Sequence, residues 1–139
     1  MDGAVDTSII KTDRAGVEEW TYRQPAEAEG AAQNLLVDPD GSIYFLDNRP
    51  HPEPPHAISP YLHKLNSDGQ LGWTQHYGDA QIRERGYALA PGKDSGFLLS
   101  SSSEDELLLL LTDGEGQVLS RNSYGAGNGN TELAPAVQL

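Results

Sequence analysis

Apolar and polar residues alternate in short runs along much of the chain, which is typical of half-buried β-strands. The segments VEEW at 17–20 and QLGW at 70–73 alternate in this way. IIKT at 9–12 and YLHKL at 61–65 are rich in residues that favour strands. The run EDELLLLL at 104–111 is the one segment that also fits a helical period. The pattern therefore predicts an all-β chain.

One turn motif recurs three times. In each copy an Asp or Asn is followed three positions later by Gly, between two strand-like segments. The first residue can accept a hydrogen bond from a backbone amide two positions on, and the Gly supplies the positive φ of a type I turn closed by a bulge. We predict three β-hairpins and assign a structural role, not a catalytic one, to their turn residues. These are Asp13, Asn66 and Asp113, with Gly16, Gly69 and Gly116.

A second unit recurs between the hairpins, at 31–47 and 86–103, and consists of two strand-like segments joined by a turn that contains Gly. Four-stranded units repeating every 40 to 50 residues are typical of the blades of a β-propeller. We therefore predict a single all-β propeller-type domain over 1–139. It comprises a partial blade at 7–24, blades at 31–78 and 86–125, and a partial strand at 132–139.

The repeat has the form Lys-x-Asp-x-x-Gly-x-x-x-Trp, with Tyr-Gly following the Trp in the second copy. This pattern resembles the blade repeat of bacterial β-propellers of the quinoprotein-like, or PQQ-like, type, and the resemblance covers nearly the whole chain. It implies that Trp20 and Trp73 dock between adjacent blades, and that the protein belongs to the bacterial envelope or exterior. The third copy has Ser120 in place of the Trp. No cofactor is expected, because the paired cysteines that many quinoprotein dehydrogenases use are missing.

Short strands with Gly-rich turns also fit a β-sandwich or a small open barrel, although the register of three copies favours the propeller. A closed propeller ring has about four to eight blades, and this chain has only about three. A single chain would therefore leave open sheet edges at both ends. We predict that residues 133–139 lie against the N-terminal strands of a second copy, so that a homodimer closes a ring of about six blades. The alternative is that the chain is a piece of a longer propeller.

Charge limits the classes of partner. Twenty-one acidic residues against nine basic ones give a formal net charge of -12, which disfavours nucleic acid and anionic membrane surfaces. Without cysteine the chain has no disulfide, no thiolate nucleophile and no Cys-type zinc site. The run LLLLL at 107–111 is too short to span a bilayer, so no membrane insertion is expected.

The longer connections, between the second and third strands of a blade and between blades, are predicted to lie on the face opposite the tight turns. Recognition residues concentrate on such loops, so we predict that a protein, a glycan or a small ligand binds there. Arg83 and Arg85 could meet a carboxylate or stack on a sugar, or else lie in a solvated loop paired with Glu84. The candidate ligand-binding residues are Arg49, His51, His56, Arg83 and Arg85.

Two segments have the residue types of metal sites. His51, Glu53 and His56 could offer two imidazoles and a carboxylate to zinc, but the prolines between them stiffen the loop. The segment 38–42 has oxygen-bearing side chains at alternate positions, as calcium loops do, but Ile43 stands where an EF-hand needs Gly. We therefore predict a plain turn at 38–42 and no metal in either segment.

Catalytic signatures are weak. The sequence has neither a Gly-rich phosphate loop before a helix nor a G-x-S-x-G serine motif. We therefore predict a noncatalytic binding or assembly module. The alternative is a glycan hydrolase or lyase that uses acidic loop residues around a central channel.

Overall fold

The computed structural model describes residues 5–28, 32, 34–104 and 106–125, and across these residues the protein is all-β, as predicted. Ten strands are present, together with one short 3-10 turn at Lys93–Ser95. The strands are β1 (Val5–Thr12), β2 (Glu18–Ala28), β3 (Asn34–Val37), β4 (Ile43–Pro50), β5 (Ile58–Leu65), β6 (Leu71–His76), β7 (Arg85–Pro91), β8 (Phe97–Ser102), β9 (Glu106–Thr112) and β10 (Val118–Gly125).

The strands form three antiparallel sheets, and none of the three closes on itself. Sheet 1 contains β1 and β2, sheet 2 contains β3 to β6, and sheet 3 contains β7 to β10. Within each sheet neighbouring strands follow one another along the chain, so each sheet is a simple meander. The described parts of the segments 7–24, 31–78 and 86–125 each fall on one sheet, and the segment 132–139 lies outside the described residues.

The repeated turns have nearly identical backbones. Gly16, Gly69 and Gly116 have φ values of 84°, 86° and 79°, in the left-handed region that only glycine adopts without strain. The Asp13 carboxylate accepts hydrogen bonds from the backbone amides two and four residues on, at 2.8 and 2.9 Å. Asp113 accepts the equivalent pair. These turns close the hairpins β1–β2, β5–β6 and β9–β10.

The three sheets pack face to face in chain order. For each sheet we call the side that faces the preceding sheet its front, and the side that faces the following sheet its back. Side chains alternate between these sides, so β4 places Phe45 on the front and Leu46 on the back, both fully buried. The joint between sheets 1 and 2 contains Ile9, Trp20, Tyr22, Ile43, Phe45 and Leu65. The joint between sheets 2 and 3 contains Tyr44, Leu46, Leu62, Tyr77, Leu89, Phe97, Leu99, Leu108 and Leu110.

Two asparagine side chains bind the backbone of β7 across the joint between sheets 2 and 3. The Asn48 amide accepts a hydrogen bond from Gly86 N at 2.8 Å and donates one to Gly86 O at 3.2 Å. Asn34 Oδ1 accepts from Leu89 N at 2.8 Å. These side chains satisfy backbone groups on the outer edge of β7, which would otherwise be buried without partners.

Candidate functional site

The longer loops lie together at one end of the sheets. The loops 51–57 and 77–84 follow even-numbered strands, as does the short connection that begins at Ser103. The tight turns follow odd-numbered strands, so the meanders place the two sets at opposite ends. Ala57 N donates to Ala80 O at 2.9 Å, which joins the first two loops. We call this end the long-loop face.

A cleft of about 330 Å³ opens on the long-loop face beside sheet 3. It combines an amide, a hydroxyl, a guanidinium, two carboxylates and an isoleucine side chain that is half exposed. This mixture suits a small ligand that has both polar groups and an apolar surface, rather than a purely ionic or a purely apolar one. The lining residues are Gln81, Ile82, Arg83, Ser103, Glu104 and Glu106.

The candidate residues from the first of these loops point into the protein or bind their own loop. Arg49 is buried near the end of β4, where its Nε donates to Asp47 Oδ2 at 2.9 Å. His51 is also buried, and its Nδ1 accepts from Glu53 N at 3.0 Å. His56 is exposed, with Nδ1 2.8 Å from His51 O. Among the described residues, no group of three His, Asp or Glu side chains is placed to hold a metal ion.

The two remaining candidates, Arg83 and Arg85, lie in different surroundings. Arg83 is exposed and lines the cleft, whereas Arg85 begins β7 opposite Ser102 and is only partly exposed. Of the five candidate residues, only Arg83 lines the cleft. The other polar residues of the cleft are Gln81 in the 77–84 loop, and Ser103, Glu104 and Glu106 at and just before the start of β9. None of these four residues had been identified as a candidate from the sequence.

Glu84, between these two arginines, is almost fully buried. Its Oε1 accepts from Ser101 Oγ at 2.6 Å and its Oε2 accepts from Arg121 Nη2 at 3.0 Å. Its backbone N donates to Ile58 O at 2.8 Å. Glu84 therefore fixes the 77–84 loop to both sheet 2 and sheet 3, and this positions the neighbouring Arg83 at the cleft.

A second polar network is buried on the front of sheet 2. Asp47 and His63 are both fully buried, and His63 Nε2 lies 2.8 Å from Asp47 Oδ1. The other ring nitrogen, Nδ1, lies 2.9 Å from Thr74 Oγ1. Asp47 also pairs with Arg49, and the Phe45 ring stacks on His63 with centroids 4.7 Å apart. Sequence reasoning assigned no role to Asp47.

Thr74, His63 and Asp47 form a hydrogen-bonded series like that of a catalytic triad, in which a histidine activates a hydroxyl nucleophile. The burial of His63 and Asp47 argues against a catalytic role. A catalytic histidine must pass its proton on to a leaving group, but His63 has no exposed surface from which it could do so. The carboxylate bonds both His63 and Arg49, and the histidine ring bonds at both nitrogens. The network is therefore a closed one that fixes β4, β5 and β6 in register.

Each internal joint contains a tryptophan placed on the glycine of the next repeated turn. Trp20 Nε1 donates to Ser67 O at 3.1 Å, and a Cβ added at Gly69 would lie 2.7 Å from the Trp20 ring. At the next joint, a Cβ added at Gly116 would lie 3.0 Å from the Trp73 ring. A Cβ at Gly69 would therefore displace the indole, and one at Gly116 would require the Trp73 ring to shift by a few tenths of an ångström.

The Gly116 turn is also bound by Tyr77, whose hydroxyl donates to Gly116 O at 2.7 Å. Burial of Tyr77, together with the nearby Asp113 carboxylate, raises the pKa of Tyr77 above its ordinary value. The hydroxyl therefore stays protonated and keeps donating across the neutral pH range. This bond links the start of the 77–84 loop to sheet 3.

No helical segment among the described residues combines the length and the apolar character needed to cross a membrane. Comparison with models of known protein families and with curated protein sequences finds no match to this chain. A function for it therefore rests on the geometry of the described residues.

Proposed function

We propose that this chain is a noncatalytic binding and assembly module of the β-propeller type, in which each sheet is one blade. Three features support the proposal. Sheets 2 and 3 are four-stranded antiparallel meanders, as propeller blades are. The sheets pack face to face in chain order, and a Trp-on-Gly contact repeats at both joints.

The observation that carries the assembly role is the difference in strand number between the sheets. Sheet 1 has two strands where sheets 2 and 3 have four, and β1 pairs with β2 alone among the described strands. On the front of sheet 2, Leu35 and Val37 remain 48% and 62% exposed, where further strands of sheet 1 would cover them. We propose that residues 133–139 of a second copy occupy this place, so that two copies close a ring of about six blades.

The first test is the absolute mass in solution, measured by light scattering across a dilution series. We expect a mass twice that of the 15.0 kDa chain, because pairing of the segment 133–139 with a second copy covers open strand edges and apolar side chains. Deleting 133–139 should give a monomer that retains the β-type circular dichroism spectrum of the full chain. A full-length chain that is monomeric at every concentration would refute the assembly role.

We further propose that the cleft on the long-loop face binds the ligand, and that a saccharide fits it best. Arg83 and the carboxylates of Glu104 and Glu106 can bond sugar hydroxyl groups, and Ile82 offers an apolar contact for a sugar ring. Glu84 supports this site because its hydrogen bonds to Ser101 and Arg121 hold the loop that carries Arg83.

Arg83→Ala should weaken saccharide binding by about tenfold, because it removes a charged donor from the cleft. The measurement is a titration with a panel of monosaccharides and oligosaccharides, followed by amide chemical-shift changes. We expect the changes to cluster at Gln81, Arg83, Ser103 and Glu104. Arg14→Ala, an exposed arginine at the opposite end of the sheets, is the matched control and should bind normally. Equal loss in both variants would place the ligand elsewhere.

A further inference from the structure

We infer that the front of sheet 1 and the back of sheet 3 form a head-to-tail joint between two copies, stacked as adjacent sheets are stacked within one chain. The inference rests on the proposed self-association, and it adds to the pairing by residues 133–139 the two sheet faces that pack together when the ring closes. Two observations lead to this inference: Ile10 is exposed on the front of sheet 1, and leucine side chains of β9 are partly exposed on the back of sheet 3. A third, the serine at position 120 where the other copies of the repeat have tryptophan, bears on the strength of the joint.

The isoleucine is Ile10, on the front of sheet 1. In the register of the repeated turns it aligns with His63 in sheet 2 and Leu110 in sheet 3. His63 and Leu110 are 0% and 1% exposed, because a preceding sheet covers each of them, whereas Ile10 is 59% exposed. The same position of the repeat is thus buried at both internal joints and exposed at the open end, which predicts that a further sheet covers it.

The leucine face is on the back of sheet 3. In β9, Leu108 and Leu110 are buried on the front, while Leu107, Leu109 and Leu111 alternate with them on the back and stay partly exposed. In the repeat register Leu109 aligns with Leu62, which is fully buried in the joint between sheets 2 and 3. A strand that is apolar on both sides is built to be covered on both sides.

A second copy is the occupant that suits both surfaces. Each chain carries one half of the joint at sheet 1 and the other half at sheet 3, and the joint itself would repeat an interface already formed twice within the chain. Such a contact is heterologous, and two copies related by a rotation that closes the ring satisfy both ends of each chain.

The missing indole makes this joint weaker than the internal ones. Trp20 and Trp73 lie on Gly69 and Gly116, but the aligned residue in sheet 3 is Ser120. At the open end, a Cβ added at Gly16 would meet nothing within 4 Å. A tryptophan buries about 150–250 Å² on docking. The joint between copies lacks this buried area. We therefore expect the two copies to dissociate and reassociate while each chain stays folded.

Two substitutions test the joint in opposite directions, with the dissociation constant of the full-length chain measured by light scattering or sedimentation across a dilution series. Ile10→Ser should raise this constant by at least about tenfold because it removes the apolar contact. Ile82→Ser, the same change at a 51% exposed site on the long-loop face, should leave it unchanged. Ser120→Trp should lower it by at least about tenfold, because it supplies the indole for Gly16 of the second copy.

The outcomes separate this joint from self-association itself. If the wild-type chain associates but neither Ile10→Ser nor Ser120→Trp changes the dissociation constant, the joint lies elsewhere and the inference is wrong, while self-association stands. If the wild-type chain is monomeric and Ser120→Trp associates, the surfaces are right and native self-association is wrong. If both stay monomeric, both proposals are wrong. Because Ile10 is exposed in the single chain, its serine variant should keep the wild-type melting temperature at dilutions where both chains are monomeric.

Discussion

Asp47→Ala is expected to lower the free energy of unfolding by about 3–5 kcal/mol, the cost of removing one partner from a buried ion pair. The carboxylate of Asp47 bonds Arg49 on one oxygen and His63 on the other, and the three side chains are buried. Its removal leaves the Arg49 guanidinium in the interior without this counter-charge. It also leaves the His63 ring without the acceptor that orients it.

Urea denaturation followed by circular dichroism measures this loss. The matched control is Asp68→Ala, which removes an exposed carboxylate from the β5–β6 turn and one hydrogen bond to Gln70 N. We expect it to cost about 1 kcal/mol or less. A loss at Asp47 no larger than that at Asp68 would show that the buried network does not stabilise sheet 2.

Gly69→Ala is expected to destabilise the fold by about 2–4 kcal/mol, and Gly16→Ala by only about 1–2 kcal/mol. Both glycines have the same positive φ, so both variants carry the strain of a left-handed alanine. They differ in surroundings, since the new methyl group at Gly69 would lie 2.7 Å from the Trp20 ring, whereas Gly16 has open space. The difference reports the cost of displacing the indole and its bond to Ser67 O.

The same comparison in a Trp20→Ala background isolates the contact. Without the indole, Gly69→Ala should cost no more than Gly16→Ala, because only the backbone strain remains. Equal costs in the wild-type background would mean that the Trp20 ring moves aside freely, and that the repeated contact contributes little to the joint between sheets 1 and 2.

Much of the fold could be predicted from the sequence because its signals are local. The turns at Asp13 and Asp113 require particular residues within four positions, and alternation along strands such as β6 needs only its own side chains. The exposed Ile10 was not recognised from the sequence, because an isoleucine at this point of a strand looks the same whether or not a sheet covers it.

The polar interior could not be predicted, because its partners are far apart in sequence. Asp47 and His63 are 16 residues apart and meet only through the pairing of β4 with β5. Glu84 and Arg121 are 37 residues apart and lie in different elements. Arg49 belongs to a segment that we expected to be a loop, but β4 continues to Pro50 and pairs with β5 up to Ile58, which directs the arginine inward.

Asn34 and Asn48 have a consequence for the solubility of this fold. Sheet edges usually expose amides that an extended peptide from another molecule can bind, which is how misfolded chains aggregate edge to edge. On β7, the outward amides of Gly86 and Leu89 already donate to asparagine side chains of sheet 2. Two amide side chains thus protect the first strand of sheet 3 from templating a foreign strand.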